Sequence, residues 1–239
     1  QLTLGNAVTS NYSYDPANRL SGMIHQAATD TLAGFTYTCD NVGNPTQAVE
    51  TTLQTITTGT AYTVTKTADT NDGTCDADCS LREAVRAANA STGTDTIVVP
   101  AGTYTLTITG SDSTASLGDL DLTDSVAIIG NGAATTVVTA NAGFGDRIFQ
   151  VNNPVTVTIS GLTIQQGNPT GHGGGLYSVS GANVTLVDSG VSNNTASGSA
   201  NNGGGLNNPG GSTLTLMNVT VSGNTAGSSG GGIHNNGTL

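Results

Sequence analysis

The sequence predicts an all-β fold: a parallel β-helix, in which coils of short strands stack along one axis, with one short α-helix closing its N-terminal end. Three Gly triplets followed by Leu or Ile occur at Gly173–Leu176, Gly203–Leu206 and Gly230–Ile233, with starts 30 and 27 residues apart. Between these copies apolar residues alternate with Thr, Ser or Asn, and no helical spacing of apolar residues follows Gly93. A repeat of this length indicates an array in which each unit buries its apolar face against its neighbours.

The spacing inside one repeat separates this array from other repeat folds. Val155, Val157 and Ile159 alternate with polar residues, and Leu162 and Ile164 resume the period of two after a turn. This period predicts strands, whereas tetratricopeptide or ankyrin arrays need helical periodicity and leucine-rich repeats need a regular leucine ladder. Propeller blades use frequent aromatic residues, which make up only 4% of this chain. A parallel β-helix remains, with two or three strands per coil and coils about 4.8 Å apart.

Stacking places equivalent residues above one another. We expect Asn194 to lie over Asn224 and Thr195 over Thr225, so that a buried Asn amide bonds to the turn of the next coil. A solvated turn is the alternative for each Asn taken alone. The Gly triplets fit corners with positive φ or places where two backbones approach closely.

One amphipathic helix, at about residues 80–91, is predicted before the first coil. Ser80 and Glu83 form an S-x-x-E capping box, and Thr92-Gly93 supplies the stop. One apolar stripe lies between these signals, made by Leu81, Ala84, Val85 and Ala88.

The helix directly precedes the first predicted strands, Thr96–Val99 and Thr103–Ile108. An open solenoid end exposes strand edges and core, so we expect the helix to cover that end. Arg82 and Arg86 fall on the other helix face, where we expect solvated side chains.

Composition excludes several classes of partner. The formal net charge is −11 with only five basic residues, so nothing indicates binding to nucleic acid or to anionic membranes. No apolar run is long enough to span a bilayer. The chain starts at Gln1 without Met and stops at Leu239 inside a repeat, so we expect a C-terminally truncated fragment.

The cysteines indicate the redox environment. Cys75 and Cys79 are close enough in sequence to close a small disulfide loop, with a metal site as the alternative. We expect the disulfide, and with it an oxidising compartment. Cys39 has no evident partner.

The helix and the strands after it carry a resemblance. Cys79–Asn89 reads CSLREAVRAAN and is followed by DTIVVPAGTYTLT, SVAIIGNG, DRIFQV and VTISGLTIQQGN. Residues 61–239 thereby resemble the bacterial CSLREA-type right-handed parallel β-helix proteins. The resemblance implies a right-handed coil and an exported, often very large, surface or secreted protein. Since most relatives have no assigned activity, it implies no catalytic residues.

Residues 11–50 resemble a different family. Tyr12–Leu20 (YSYDPANRL) and Phe35–Asn44 (FTYTCDNVGN) look like two YD repeats of the rearrangement-hotspot and teneurin-like type, with Cys39 where Tyr is expected. In that family many repeats form a closed shell, which two copies cannot do. The resemblance therefore implies a small strand-bearing segment at residues 1–50, joined to the β-helix by an uncharged, Thr-rich linker at residues 51–60.

Candidate catalytic groups are scarce in the repeats. After Val151 the ionisable side chains are only His172, Tyr177, Asp188 and His234. Glycoside hydrolysis needs paired carboxylates, and lyase chemistry needs a base beside Ca²⁺ ligands. We therefore predict no catalytic residue and expect both His residues, at different offsets from the Gly triplets, to be exposed in turns.

Two groups of acids are candidates for Ca²⁺, and no other cofactor is indicated. The denser group fits no EF-hand spacing and contains Asp69, Asp72, Asp76 and Asp78. The second group is Asp119, Asp121 and Asp124, for which we favour solvated turn acids.

We therefore expect a non-catalytic structural or adhesive module of an exported bacterial surface protein, at the cell surface or outside the cell, contacting glycans or other surface proteins. One alternative is a polysaccharide lyase or hydrolase whose active site lies outside this fragment. Another is part of a YD-repeat delivery protein. A further possibility is end-to-end stacking of coils into filaments.

Overall fold

The chain forms two compact units, Gln1–Thr57 and Thr58–Leu239. The predicted linker falls mostly on residues 52–58, which lie outside the described residues. The structure is a computed structural model, and it describes residues 2–3, 8–17, 19–27, 30–40, 44–51 and 59–239.

The first unit contains a five-stranded antiparallel sheet in chain order. Its strands are β1 (Leu2–Thr3), β2 (Val8–Tyr14), β3 (Leu20–Ala27), β4 (Asp30–Cys39) and β5 (Pro45–Thr51). Two turns are built alike: the Asp15 and Asp40 carboxylates accept the backbone N–H groups of Arg19 and Asn44 at 2.9 and 2.8 Å. The two YD-like segments therefore close equivalent hairpins.

The second unit is an all-β parallel solenoid of about five coils, as the sequence predicts. Most of its strands form three long sheets, which we name face 1, face 2 and face 3. Face 1 contains β6 (Ala61–Thr63), β7 (Asp95–Val99), β10 (Val126–Gly130), β13 (Thr156–Ser160), β16 (Asn183–Val187) and β20 (Thr213–Met217).

The other two faces contain one strand from each coil. Face 2 contains β8 (Gly102–Leu106), β11 (Thr136–Ala140), β14 (Thr163–Gln165), β17 (Gly190–Ser192) and β21 (Thr220–Ser222). Face 3 contains β9 (Leu120–Leu122), β12 (Phe149–Val151), β15 (Leu176–Ser178), β19 (Leu206–Asn208) and β23 (Ile233–Asn235). A short parallel pair, β18 (Thr195–Ala196) and β22 (Thr225–Ala226), joins the last two coils.

The core consists of apolar ladders that run along the solenoid axis. On face 1, Ile97, Ile128, Ile159 and Leu186 lie in register and are fully buried. Burying each such side chain contributes about 1.5–3 kcal/mol relative to exposure. The alternating apolar pattern thus holds the coils together, while the handedness of the coil stays a prediction.

The predicted helix is present as α1 (Leu81–Ala90), with Ser80 as its N-cap and the capping box to Glu83 formed. Its contacts with β6, β7 and β9 place it across the first coil. The predicted apolar stripe is buried there, namely Leu81, Ala84, Val85 and Ala88. The first predicted strands correspond to β7 and β8.

The Gly triplets lie above one another, as predicted. The first residue of each has positive φ, between 66° and 68°, at Gly173, Gly203 and Gly230. A Cβ on Gly174 would lie 2.4 Å from the carbonyl oxygen of Gly204 in the next coil. Any side chain in this column would force neighbouring coils apart.

Candidate functional site

Side chains able to do chemistry are concentrated in two regions. One is the cap, which we define as residues 64–91, including α1, together with the β8–β9 loop at residues 107–119. The other is the outward side of face 3. Each region is built from groups distant in sequence, which the solenoid stacking brings together.

Arg82 is the centre of the cap, and the prediction that it is solvated is wrong. Its side chain is fully buried and forms an ion pair with Asp69, with Nε 2.7 Å from Oδ1. The guanidinium also donates to the backbone carbonyls of Ala115 and Gly118 at 3.0 and 2.8 Å. Since these carbonyls belong to the β8–β9 loop, Arg82 holds that loop against the helix.

Asp69 provides a hydrogen-bond acceptor for the backbone at the other end of the same loop. Its Oδ2 accepts the backbone N–H groups of Thr107 and Ile108 at 2.7 and 2.9 Å. Strand β8 ends at Leu106, directly before these two residues. One buried ion pair therefore secures both ends of the loop.

Glu83 connects the helix to the segment before it. Its carboxylate accepts the Ser80 N–H at 2.7 Å, the Asp72 N–H at 3.1 Å and the Thr70 hydroxyl at 2.9 Å. Burial alone would raise the pKa of this carboxyl, but these hydrogen bonds outweigh it and leave the pKa below its usual value. The predicted capping box thus also orders residues 70–72.

The disulfide predicted between Cys75 and Cys79 is present, directly before the helix N-cap. Cys79 is fully buried, and its carbonyl accepts the Thr65 N–H at 2.8 Å. Cys39 is a free, half-buried thiol. The disulfide therefore closes the turn before the helix, and the Thr65–Cys79 hydrogen bond connects that turn to the start of the solenoid.

The structure does not bring the first group of Ca²⁺ candidates together. Asp69 pairs with Arg82, while Asp78 lies 3.0 Å from the Lys66 ammonium. Asp72 and Asp76 accept hydrogen bonds from their own turns, at the N–H groups of Thr74 and Asp78. Among the described residues, no three His, Cys, Asp or Glu side chains are arranged to hold a metal ion.

In the second group, Asp119 and Asp121 are not solvated turn acids, which corrects that interpretation. They are 3% and 0% exposed. Burial raises the pKa of Asp119 to about 8, helped by the nearby Asp146 and Asp121 carboxylates, although Arg147 lies only 3.3 Å away. Sequence order could not reveal this, because the charges that surround Asp119 come from the next coil and from α1.

Asp121 lies in β9, directly after the cap. Burial raises its pKa to about 6, although the Ala115 N–H and the Asn152 amide donate to it. Asp112 lies beside Asp121, and their proximity favours a proton on Asp121. Asp124, the third member of the group, is half-buried and accepts the Ser125 N–H at 2.7 Å.

The outward column of face 3 contains the most varied polar groups of the solenoid. Its members stack in register, in the order Asp121, Gln150, Tyr177, Asn207 and His234. Arg147 lies over the Tyr177 ring, with 5.4 Å between its Cζ and the ring centroid. His172 stacks on the same ring at 6.4 Å.

The prediction of two exposed turn histidines is also wrong. His172 is half-buried, and its Nδ1 accepts the Asn202 N–H at 3.0 Å. His234 is half-buried in β23, with Nδ1 3.2 Å from the Asn207 amide nitrogen. As predicted, the two residues do not share a column.

The predicted Asn ladder is present. Asn194 is fully buried, and its amide donates to the Ile164 carbonyl at 3.1 Å and to Asn224 Oδ1 at 3.0 Å. Its own Oδ1 accepts the Gly167 N–H at 3.0 Å. One amide thus connects three coils, and Thr195 pairs with Thr225 as predicted.

Asp188, the only carboxylate after Val151, occupies a solenoid corner. Its φ is 47°, and the equivalent residues Gly161 and Asn218 have φ values of 63° and 53°. Gly, Asn and Asp tolerate this conformation better than other residues. The Asn218 amide donates to Asp188 at 2.6 Å, so the carboxylate takes part in corner stacking.

Faces 1 and 2 have uncharged outward columns. Those of face 2 are rich in hydroxyl groups, from Thr103, Thr105, Thr139, Thr163, Ser192, Thr220 and Ser222. Those of face 1 mix hydroxyl and apolar side chains, including the exposed Val98, Ile129 and Met217. Within these columns no outward side chain is charged, and the exposed Asp188 lies at the corner between faces 1 and 2 rather than in either column.

Comparison with protein-family models, with curated proteins and with solved structures finds no match in any of the three. Within the described ranges, no helix has the length and apolarity needed to cross a bilayer. The function is therefore argued from this chain's own residues.

Proposed function

We propose that this chain is a non-catalytic structural or adhesive solenoid module of an exported bacterial surface protein. One observation carries the proposal: faces 1 and 2 present uncharged outward columns in register, in a chain whose net charge is −11. Keeping charge out of these columns removes the cost of desolvating ions when they bind a neutral surface.

Face 2 is the proposed contact surface. Its Thr and Ser hydroxyls form two columns on strands about 4.8 Å apart, interrupted at Val137, Gln165 and Gly190. Hydroxyl groups both donate and accept hydrogen bonds, as do the hydroxyls of a neutral glycan. A polymer that follows the solenoid axis can form weak hydrogen bonds with several coils at once, and their contributions to affinity combine. An extended glycan is therefore the partner that best matches this surface.

The burial of Asp119 and Asp121 supports the proposed non-catalytic role. A raised carboxyl pKa in a cleft is a sign of an active site, but buried structural networks raise pKa values too. Asp119 and Asp121 are almost completely buried and engage groups of their own chain. Their burial therefore supports a structural role for both carboxyls.

The finer assignments belong to the same proposal. Arg82 and Glu83, at the centre of the CSLREA-like motif, organise the cap, which supports kinship with CSLREA-type proteins. The matching Asp15 and Asp40 turns support two YD-like repeats. The Cys75–Cys79 disulfide supports an oxidising location outside the cytoplasm.

Binding of the fluorescently labelled full chain to a glycan array and to cell surfaces tests the adhesive role. Ser192→Glu places a charge on face 2, and Thr185→Glu makes the matched change on face 1 of the same coil. We expect Ser192→Glu to abolish binding and Thr185→Glu to retain it. Cleavage of any bound glycan would contradict the non-catalytic assignment, and binding to nothing would leave only the scaffold role.

A further inference from the structure

Arg86 differs from every other cation of the chain. All five Lys and Arg residues lie in the described part, and four of them form ion pairs, namely Arg19, Lys66, Arg82 and Arg147. Arg86 has no carboxylate within ion-pair distance in the described residues, and its recorded hydrogen bond is to the Asn71 side chain. Within the described ranges, an acidic chain thus leaves one guanidinium without an anionic partner.

This guanidinium lines a cavity of about 240 Å³ between α1, the β8–β9 loop and the end of β9. The cavity walls are formed by Arg86, Asn89, Ala90, Ser113, Thr114 and Thr123. Ser113 is exposed. Within the described residues, neither its hydroxyl nor that of Thr123 forms a hydrogen bond. One cation and two hydroxyls therefore remain available to a ligand.

Two acids, Asp112 and Asp124, are the sequence neighbours of Ser113 and Thr123. Both accept hydrogen bonds from residues close to them in sequence. Asp112 accepts both the N–H and the hydroxyl of Thr114, at 3.0 and 2.9 Å. Asp124 accepts the Ser125 N–H at 2.7 Å. The Asn89 side chain bonds the backbone of Asp121 and Thr123, which fixes that wall of the cavity.

We propose that this cavity binds the carboxylate of an acidic sugar. The planar guanidinium fork of Arg86 matches a carboxylate, and the Ser113 and Thr123 hydroxyls match the hydroxyls of a sugar ring. The volume falls below the roughly 300–1,000 Å³ of drug-sized sites, which matches one sugar residue, and because the cavity is open to solvent the rest of a longer glycan can extend out of it. The site is independent of the face 2 surface proposed for adhesion.

Isothermal titration of the full chain with glucuronate tests this, with glucose as the uncharged analogue and acetate as the anion without a ring. We expect glucuronate to bind, and glucose and acetate to bind at least tenfold more weakly. Arg86→Gln should weaken glucuronate binding at least tenfold, and Arg86→Lys by less, because an ammonium keeps the charge without the fork. Arg19→Gln is the charge-matched control and should leave the affinity unchanged.

Thermal unfolding of each variant shows that the fold is retained. No binding of glucuronate would overturn the proposal, and so would unchanged affinity in Arg86→Gln. Equal binding of glucose would overturn the role of the carboxylate, and equal binding of acetate would overturn the role of the ring.

Discussion

The cap and the later coils bury different kinds of polar side chain. Among the described residues, every buried Asp, Glu, Lys or Arg side chain precedes residue 122, namely Arg82, Glu83, Asp95, Asp119 and Asp121. From residue 178 onward the buried polar side chains are Ser178, Ser189, Asn194, Asn207, Asn208 and Ser212. The same solenoid thus uses charges in one region and neutral amides and hydroxyls in the other.

Repetition explains the difference. A stacked column places like above like, and a charge stacked on a like charge is repelled. An amide both donates and accepts, so Asn194 bonds to Asn224 and the pattern can continue coil after coil. The cap occurs once, so it can use a specific ion pair such as Arg82–Asp69.

The largest expected effect comes from removing the buried cation. Arg82→Leu leaves the buried Asp69 without its cationic partner and the carbonyls of Ala115 and Gly118 without a side-chain donor. We expect it to lower the free energy of unfolding by about 3–5 kcal/mol, measured by urea denaturation of the full chain. Arg86→Gln, one turn later on the same helix, should cost under about 1 kcal/mol. Equal losses in the two variants would show that the cap does not depend on its buried charge.

The next largest effect is the pH dependence of the free energy of unfolding. We expect it to arise from the buried acids near the cap, above all from Asp119. Asp119 has a pKa of about 8 in the folded chain, above its ordinary value of 3.8. The stability it contributes is therefore complete below about pH 4 and is lost as the pH rises to about 8, by at most about 1.4 kcal/mol per pH unit. Asp119→Asn should flatten the decline in unfolding free energy between pH 5 and 8. Parallel curves for the variant and the wild type would contradict the raised pKa.

The neutral ladder should be less costly to break than the ion pair. Asn194→Ala leaves the Gly167 N–H and the Ile164 carbonyl without their side-chain partner. We expect a loss of about 2–3 kcal/mol, measured by urea denaturation at two salt concentrations and independent of salt. Asn193→Gly, at an exposed residue with φ of 54°, should change stability by under about 0.5 kcal/mol. A strong salt dependence for Asn194→Ala would contradict the neutral character of the ladder.

The smallest expected effect is that of the disulfide. Cys75 and Cys79 close a loop with a sequence separation of only 4, so their removal should cost about 2 kcal/mol. Hydrogen exchange of the Cys75→Ser/Cys79→Ser variant should lose protection around α1 and retain it in β16 and β20. Cys39→Ser is the control. Loss of protection throughout the coils would mean that the cap is not a separate cooperative region.

Sequence predicted the parts that depend on short-range pattern. The strands of the repeat, the capping box at Ser80 and Glu83, and the stacking of Asn194 on Asn224 all follow from period, capping chemistry and repetition. Arg82 lies beside the apolar stripe of α1, and its burial was not predicted. The sequence did contain one indication of its ion pair, because the chain has only five cations among sixteen acids.

Other residues were beyond the reach of sequence. Asp119 is surrounded by Asp146 and Arg147 from the next coil and by Arg82 from the helix. By contrast, the position of His234 over Asn207 follows from the aligned Gly triplets and was within reach of the sequence. Long-range register decides such surroundings, and one sequence gives register only where it repeats.

In-register stacking is the claim on which the ladders, the faces and the cavity depend. In a Cys39→Ser background, Thr158→Cys and Thr185→Cys place thiols on register partners of face 1, about 4.8 Å apart, within reach of a disulfide. Thr158→Cys with Val187→Cys shifts one thiol by two residues, to about 8 Å, which is too far. Mild oxidation should cross-link the first pair and leave the second reduced. Preferential cross-linking of the second pair, or of neither, would contradict the stacking described for this chain.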